Sequence, residues 1–124
     1  MRVLVIPGRM ESLNEYIAAM NRNRHAGNAM KRSRTEQVAL LARSQLRGWK
    51  PVPPVRLEYL YCEANRKRDK DNVAAFAHKV VQDGLVEAGV LANDGWEYVA
   101  GSSDSYCVDR ARPRIEVRIV EVSE

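Results

Sequence analysis

The segment VRLEYLY, residues 55–61, constrains the fold most, because apolar and polar side chains alternate along it. Its odd-numbered residues are all apolar or aromatic, whereas Arg56 and Glu58 lie between them. A period of two is typical of an extended chain with one buried face and one solvated face. The segment is therefore predicted to be a half-buried strand.

Three other parts of the chain have strand character. RVLVI, residues 2–6, alternates in the same way and ends at a Pro-Gly pair. RIEVRIVEV, residues 114–122, is predicted to be the last strand. Between them, WEYVA and SYCVD are strand material that either pairs as a hairpin or bends around GSSD.

Helix starts are indicated by capping boxes, in which Ser or Thr is followed three residues later by Glu or Gln. Ser12 and Glu15 form one box, which predicts a short helix ending near Met20. Ser33 and Glu36 form another, which predicts a second helix. The apolar face and the end of that helix are predicted at Val38, Leu41, Ala42, Leu46 and Gly48.

A third helix is predicted between a cap at Asp71 or Asn72 and an end at Gly89. The element order is then β, α, α, β, α, β, β, which describes an α+β fold with helices packed on a small mixed sheet. With 124 residues, the chain is predicted to be one domain spanning 1–124.

The first ten residues, MRVLVIPGRM, contain too short an apolar stretch for a signal sequence or a membrane span, so a cytoplasmic protein is expected. Cys62 and Cys107 lack the spacing of a metal motif. Both are expected to be buried, reduced thiols.

Positive charge is concentrated in the first part of the chain. The net charge is +4, yet residues 1–50 hold ten Lys or Arg against three Glu. A basic half of this kind fits a protein that grips a polyanion, and a solvated surface explains it equally well.

The basic segment NRNRHAGNAMKRSR, residues 21–34, has no apolar period and is predicted to be a mobile loop. Its last cations precede the predicted second helix, whose N-terminus is already positive because of the helix dipole. Cations at that position favour a bound anion. The predicted phosphate contacts are Arg22, Arg24, Lys31, Arg32 and Arg34.

Two aspartates stand one residue apart in the run RKRDKDN, residues 66–72. In an extended segment Asp69 and Asp71 point the same way, and two close anions are costly unless a cation separates them. Mg²⁺ suits this pair because it takes one or two carboxylates and keeps several waters. Asp94 can join them only if the chain folds back after the third helix. The alternative is that Asp71 is a helix cap, Asp69 a surface charge and Asp94 the start of a turn.

Basic residues surround these aspartates, and their long side chains can turn outward to a nucleic-acid backbone while the short aspartates hold a metal. On the predicted helix, Lys79 can either hold a phosphate oxygen or pair with Asp83 at i, i+4. The cations of the run that are predicted to contact DNA are Arg66, Lys67, Arg68 and Lys70.

The run RKRDKDN is followed by an Ala-containing helix, by KVVQDGLVEAGVLANDGWEYV and by a closing basic strand. This combination resembles the RusA-type Holliday junction resolvases, small endodeoxyribonucleases encoded by phages and prophages. The similarity is continuous from about Glu63 to Val99, which is roughly a third of the chain. An N-terminal strand that ends near a Pro and precedes a basic helical region matches more loosely.

The resemblance implies roles for individual residues. Asp69, Asp71 and Asp94 are similar to the family's three metal-binding carboxylates, and Asn72 to its neighbouring Asn. The family's catalytic Lys follows the aspartates more closely in the founding type, where this chain has Ala75. One inserted helical turn brings Lys79 into register with it through Asp83, Ala88, Gly89 and Asp94.

The resemblance also implies a homodimer with one Mg²⁺ site per subunit, in which Mn²⁺ can substitute. A two-fold dimer matches a two-fold four-way junction. The reaction implied is attack of metal-activated water on the phosphodiester.

The sequence therefore favours a Mg²⁺-dependent, structure-specific endodeoxyribonuclease that resolves Holliday junctions and other branched DNA in recombination and repair. Two alternatives stay open. One is a non-catalytic nucleic-acid-binding module in which the aspartates are only caps and turns. The other is a metal-dependent nuclease without junction preference.

Overall fold

The computed structural model describes residues 1–122 of the chain. Over that range the element order is the one that the sequence patterns predict. The elements are β1 (Arg2–Pro7), α1 (Leu13–Arg22), α2 (Arg24–Leu46), β2 (Val55–Glu63), α3 (Lys70–Glu87), β3 (Val99–Val108) and β4 (Arg114–Glu121).

The strands form one mixed sheet in the order β1, β4, β2, β3. β4 is antiparallel to both β1 and β2, whereas β3 pairs with β2 in parallel. A parallel pair requires the chain to return from the end of one strand to the start of the next, and α3 makes this crossover. The predicted α+β fold with a small mixed sheet is confirmed.

The predicted half-buried strand is confirmed in β2. Leu57 and Tyr61 are fully buried and Tyr59 nearly so, while Arg56 on the other face is exposed. The buried face lies against α2 and α3, which also pack against each other. The helical side of this core consists of Val38, Ala42, Leu46, Val73, Phe76, Ala77, Val80, Val81 and Leu85.

The predicted mobile loop at residues 21–34 is wrong, because α2 runs without interruption from Arg24. The helix begins at the cap Asn23, whose side-chain oxygen accepts a hydrogen bond from the His25 N–H at 2.8 Å. The buried Gly27 lies so close to Met20 of α1 that a β-carbon would overlap the Met20 side chain. Packing of α2 on α1 and α3 thus stabilises a segment that lacks an apolar period of its own.

The second predicted capping box is consequently wrong as well, since Ser33 and Glu36 lie in the middle of α2. The first box is confirmed at the start of α1. Ser12 accepts from the Glu15 N–H at 3.3 Å, and the Ser12 N–H donates to Glu15 Oε1 at 3.1 Å.

The third helix begins earlier than predicted, with Asp69 rather than Asp71 or Asn72 as its N-cap. Its end agrees with the prediction: α3 ends at Glu87, and Gly89 adopts φ +78°, a conformation that other L-residues rarely take. Within residues 1–122, no helix is both long and apolar enough to cross a membrane.

The segment around GSSD neither turns nor bends into a hairpin. It is the middle of β3, a single strand paired with β2 along its length apart from one register shift near Val55. β3 is an edge strand, and its Cys107 lies opposite Cys62 of β2. Cys62 is buried as predicted, but the same expectation is wrong for Cys107, which is exposed on this edge.

Candidate functional site

Asp69 and Asp71 lie at the N-terminus of α3, directly after the loop that follows β2. Asp69 is the N-cap residue but makes no capping hydrogen bond through its side chain. Both aspartates are exposed, and neither is in an ion pair with any of residues 1–122. The expectation that Asp69 and Asp71 point the same way from an extended segment is wrong, because Lys70 and Asp71 are already helical and residues two apart on a helix do not face each other. Both carboxylates nevertheless lie at one accessible helix start.

Asp94 lies at the other end of α3. It lines an open cleft of about 500 Å³ together with Asp83 and Glu87 from the last turns of the helix. An α-helix rises about 1.5 Å per residue, so α3 separates the two regions by roughly 25 Å. The parallel pairing of β2 and β3 requires this separation, because the start of β3 lies beside the start of β2, not its end. One chain therefore does not bring Asp94 to Asp69 and Asp71.

No group of three His, Cys, Asp or Glu side chains suited to a metal ion is present in the part of the chain that the structure describes. Of the three carboxylates predicted to bind the metal, only Asp69 and Asp71 lie in the same region of one chain, at the start of α3. This pair supplies hard oxygen ligands of the kind that Mg²⁺ binds.

Arg68 differs from the other three cations of the basic run because it faces inward. Its guanidinium donates to both oxygens of Glu63 at 2.9 Å, to Glu15 at 3.2 Å and to the Met10 carbonyl at 2.7 Å. It anchors the loop between β2 and α3 and is not presented to a ligand. Arg66, Lys67 and Lys70 are exposed around the aspartates.

The cations of α1 and α2 also fall into two groups, those bonded within the protein and those exposed to solvent. Arg34 lies in mid-helix, bonded to Glu11 at 2.6 Å and to the Arg9 carbonyl at 3.0 Å. Lys31 pairs with Asp83 across the helices at 3.7 Å. The predicted anion site at a helix N-terminus is therefore wrong for Lys31, Arg32 and Arg34, because all three lie inside α2. The cations of this region whose side chains are exposed are Arg22, Arg24 and Arg32.

Lys79 is exposed on α3, as is Ala75, while Asn72 is half-buried in the first turn. The alternative pairing of Lys79 with Asp83 is not formed, since Asp83 pairs with Lys31. Lys79 lies eight residues after Asp71, or about 12 Å along the helix axis.

A polar cluster that the sequence did not reveal lies between α3 and β3. Asp104 of β3 accepts two hydrogen bonds on one oxygen, from His78 Nε2 at 2.7 Å and from the Tyr61 hydroxyl at 2.9 Å. The His78 ring packs on Tyr59, with ring centroids 4.4 Å apart. The sequence contains no signal for His78, and it leaves Asp104 in a segment predicted either to pair as a hairpin or to bend. The parallel register, which puts Asp104 opposite Tyr59, was the missing information.

Tyr106 connects this cluster to the start of α3. Its hydroxyl donates to the Lys70 carbonyl at 3.2 Å, and its ring stacks on Tyr61 at 5.1 Å. Burial raises the pKa of Tyr106, and the negative charges of Asp104 and Asp71 raise it further. Burial also raises the pKa of Tyr61, whose hydrogen bond to Asp104 favours the neutral phenol.

The Tyr106 side chain lines a cleft of about 510 Å³ at this end of the sheet. Arg66, Lys70 and the exposed Cys107 line it as well. The cleft therefore offers cations and hydrogen-bonding groups next to the two unpaired aspartates.

Comparison with known protein families finds no family that matches this chain. A search of curated proteins likewise finds no match.

Proposed function

We propose that the protein is a Mg²⁺-dependent, structure-specific endodeoxyribonuclease of the RusA type that cuts four-way DNA junctions. The observation that carries the proposal is the pair of unpartnered carboxylates, Asp69 and Asp71, at the exposed start of α3. Carboxylates and cations that are exposed side by side are available to external partners, and here a metal and a phosphate fit them. The proposal places the protein in the cytoplasm with its DNA substrate.

The residues at the start of α3 fit Mg²⁺, because two oxygen ligands are free and the site is open to water and phosphate. When bound, the metal supplies positive charge at the reacting phosphate and an acidic water. Asp94 can reach such a site only from a second copy of the chain. This requirement agrees with the homodimer that the resemblance implies.

The surrounding side chains bind and orient the DNA. Arg66, Lys67 and Lys70 attract the backbone that must approach the aspartates. Lys79 lies further along the same helix, and its exposed ammonium group, which has no ion pair with residues 1–122, can contact a neighbouring phosphate. Arg32 extends the basic surface on α2.

Cleavage of a synthetic four-way junction tests the proposal. We expect wild-type protein to cut it with Mg²⁺ or Mn²⁺, and Asp71→Asn to abolish cutting while binding is preserved or improved. The matched control Glu97→Gln removes an exposed carboxylate far along the sequence and should cut normally. If the wild-type protein binds the junction but leaves it intact with both metals, the proposed nuclease activity is wrong. If Asp71→Asn loses DNA binding, Asp71 is not acting as a metal ligand.

Rates on junction, flap and linear duplex separate a junction resolvase from a general metal-dependent nuclease. Equal cleavage rates on all three substrates would mean that the protein is a metal-dependent nuclease without a preference for junctions.

A second candidate is a nucleic-acid-binding module without catalytic activity. It is favoured by one observation, the separation of Asp94 from Asp69 and Asp71 within one chain. Binding to junction DNA without cutting, together with identical affinities with and without Mg²⁺, would support it.

A further inference from the structure

The two edges of the sheet differ in how they are protected. At the β1 edge, the Gln45 side chain of α2 bonds both peptide groups of Val5, accepting from its N–H at 2.8 Å and donating to its carbonyl at 2.7 Å. At the other edge, β3 has β2 as its one neighbouring strand, and no side-chain hydrogen bond from residues 1–122 reaches the β3 backbone. One edge is therefore closed within the chain, and the other is open.

The open edge presents a regular row of outward-facing peptide groups. The Asp109 N–H donates to the Glu63 carbonyl at 2.8 Å, and the peptide groups of successive residues in a strand point to opposite sides of it. Beyond the register shift near its start, the odd-numbered residues of β3 therefore bond to β2. The residues whose N–H and C=O point away from the sheet are Ser102, Asp104, Tyr106 and Val108.

β3 also lacks the features that usually keep an edge strand from pairing with another chain. Its sequence, VAGSSDSYCV, contains no Pro and no Lys, and most of its side chains are small. Asp104 carries the strand's single charge and is bonded to His78 and Tyr61. Another extended chain can therefore approach this edge closely and add to the sheet.

We propose that β3 is the interface between two copies of this chain, which pair antiparallel through their β3 strands about a two-fold axis at Ser105. The pairing joins two four-stranded sheets into one continuous sheet and closes both open edges. This inference rests on the proposed function for the homodimer and deepens it, since the resemblance implies a dimer without specifying its interface.

The register follows from the row of outward-facing groups. With Ser105 opposite its own copy, Ser102 lies opposite Val108 and Asp104 opposite Tyr106, so every outward-facing residue of one strand meets one of the other. An axis at Asp104 would instead set two carboxylates opposite each other, and like charges in that position are destabilising.

Charges beyond the two ends of β3 are complementary in this arrangement. Acidic side chains precede the strand and basic ones follow it; the exposed ones are Asp94, Glu97, Arg110 and Arg112. Asp109, which also follows the strand, is already paired with Arg114 at 2.7 Å. Antiparallel pairing sets the acidic end of each strand against the basic end of the other, so the attraction operates twice across the two-fold axis.

The segment before β3 agrees with this interface in two further ways. Its Trp96 is 97% exposed, and Trp is enriched at interfaces between proteins. Antiparallel pairing also directs this segment of one copy, which carries Asp94, towards the end of the sheet where Asp69 and Asp71 of the other copy lie. The proposed function requires Asp94 to come from a second copy, and it would approach from this direction.

Analytical ultracentrifugation of the full chain without DNA tests the interface. We expect the wild type to be a dimer. Ser105→Lys should weaken dimerisation at least about tenfold, because it sets two ammonium groups opposite each other at the axis. Ser33→Lys adds the same charge to the exposed surface of α2 and is the matched control, which should dimerise like the wild type. A monomeric wild type, or unchanged dimerisation of Ser105→Lys, overturns the inference.

Disulfide cross-linking measures the register. Opposite residues of a non-hydrogen-bonded antiparallel pair have Cα atoms about 4.5 Å apart, a distance that a disulfide spans. In a chain with Cys62 and Cys107 replaced by Ser, Ser105→Cys should therefore form a covalent dimer with oxidised glutathione, which is reduced as the two thiols are joined. Ser103→Cys in the same chain is the matched control and should stay monomeric on a denaturing gel, because its Cα lies roughly 14 Å from its copy. Equal cross-linking of the two variants, or none in Ser105→Cys, overturns the inference.

The two proposals fail separately. If Ser105→Cys cross-links but the wild type leaves the junction intact with Mg²⁺ and Mn²⁺, the nuclease is wrong and the interface stands. If the wild type cuts the junction but Ser105→Cys does not cross-link, the nuclease stands and β3 is not the interface.

Discussion

The Arg68 guanidinium binds Glu63 through two parallel hydrogen bonds, Nε to Oε1 and Nη2 to Oε2, each 2.9 Å long. The two side chains are only 15% and 19% exposed. A bidentate pair in so little solvent fixes the position of the loop that carries Asp69.

Replacing Arg68 with Met should destabilise the fold by about 2–3 kcal/mol, because the half-buried Glu63 keeps its charge but loses its partner. Arg66→Met is the matched control, since Arg66 is exposed and should change the free energy of unfolding by no more than about 0.5 kcal/mol. Urea unfolding of both variants measures the difference. Equal stabilities would mean that the bidentate pair contributes nothing.

Alanine substitutions of Arg32 and Arg34 should have different effects, the first on DNA affinity and the second on stability. Arg32 is 72% exposed and within residues 1–122 pairs only with the exposed Glu36 on its own helix, a kind of pair that contributes little to stability, whereas the half-buried Arg34 is bonded to Glu11. Arg32→Ala should weaken binding to all DNA sequences and reduce the slope of log K against log salt by about 1, without changing stability. Arg34→Ala should lower the unfolding free energy instead. An unchanged slope in Arg32→Ala would exclude a phosphate contact there.

The sequence predicts the order and type of most elements well because β1, β2, β4 and the third helix have clear periodicity, whereas β3 has none and the sequence leaves its course open. It fails for residues 21–34, where packing on Met20 and the Asn23 cap decide the structure. Local propensity carries no information about these tertiary contacts.

The candidate site is predictable only in part, for a similar reason. Asp69 and Asp71 are close in sequence, so their placement in the same region needs no knowledge of the fold, although their relative orientation depends on where α3 begins. The distance to Asp94 and the approach of Asp104 to His78 both depend on β3 running parallel to β2. Strand-like composition does not specify the direction of pairing.

Gly84 allows the close approach of α3 to α2. A β-carbon there would lie 2.5 Å from Val38 Cγ1, 2.6 Å from Val38 Cβ and 3.1 Å from the Thr35 carbonyl oxygen. Alanine favours a helix by about 1 kcal/mol over glycine, but overpacking costs about 1–3 kcal/mol. We therefore expect Gly84→Ala to lower the melting temperature. Gly101→Ala is the control, because a β-carbon there meets nothing within 4 Å. A higher melting temperature for Gly84→Ala would contradict the prediction and show that α2 and α3 move apart easily.

Cys62 and Cys107 should form a disulfide under mild oxidation. They are directly paired on neighbouring strands, and their sulfur atoms are 2.7 Å apart. Burial raises the pKa of the Cys62 thiol to about 11, so the exposed Cys107 should react first. Thiol titration of the unfolded, unreduced chain should then find neither thiol. In the control variant Cys107→Ser, the thiol of Cys62 should still be titratable after the same oxidation. Two titratable thiols in the oxidised wild type would contradict the prediction.

Glu15 should make the stability depend on pH in acid. It accepts hydrogen bonds from Arg9 at 2.6 and 3.1 Å and from the Ser12 N–H, which lower its pKa from 4.5 to about 2. A lowered folded-state pKa gives stability that is fully present above the unfolded-state value and is lost as the pH falls towards the folded-state value. The stability difference between wild type and Glu15→Gln should therefore be largest above about pH 5 and shrink as the pH falls to about 2. Urea unfolding across this range measures it, with Glu97→Gln as the exposed control that should show no comparable trend. A difference that stays constant or grows in acid would mean that the ion pair with Arg9 does not stabilise the folded state.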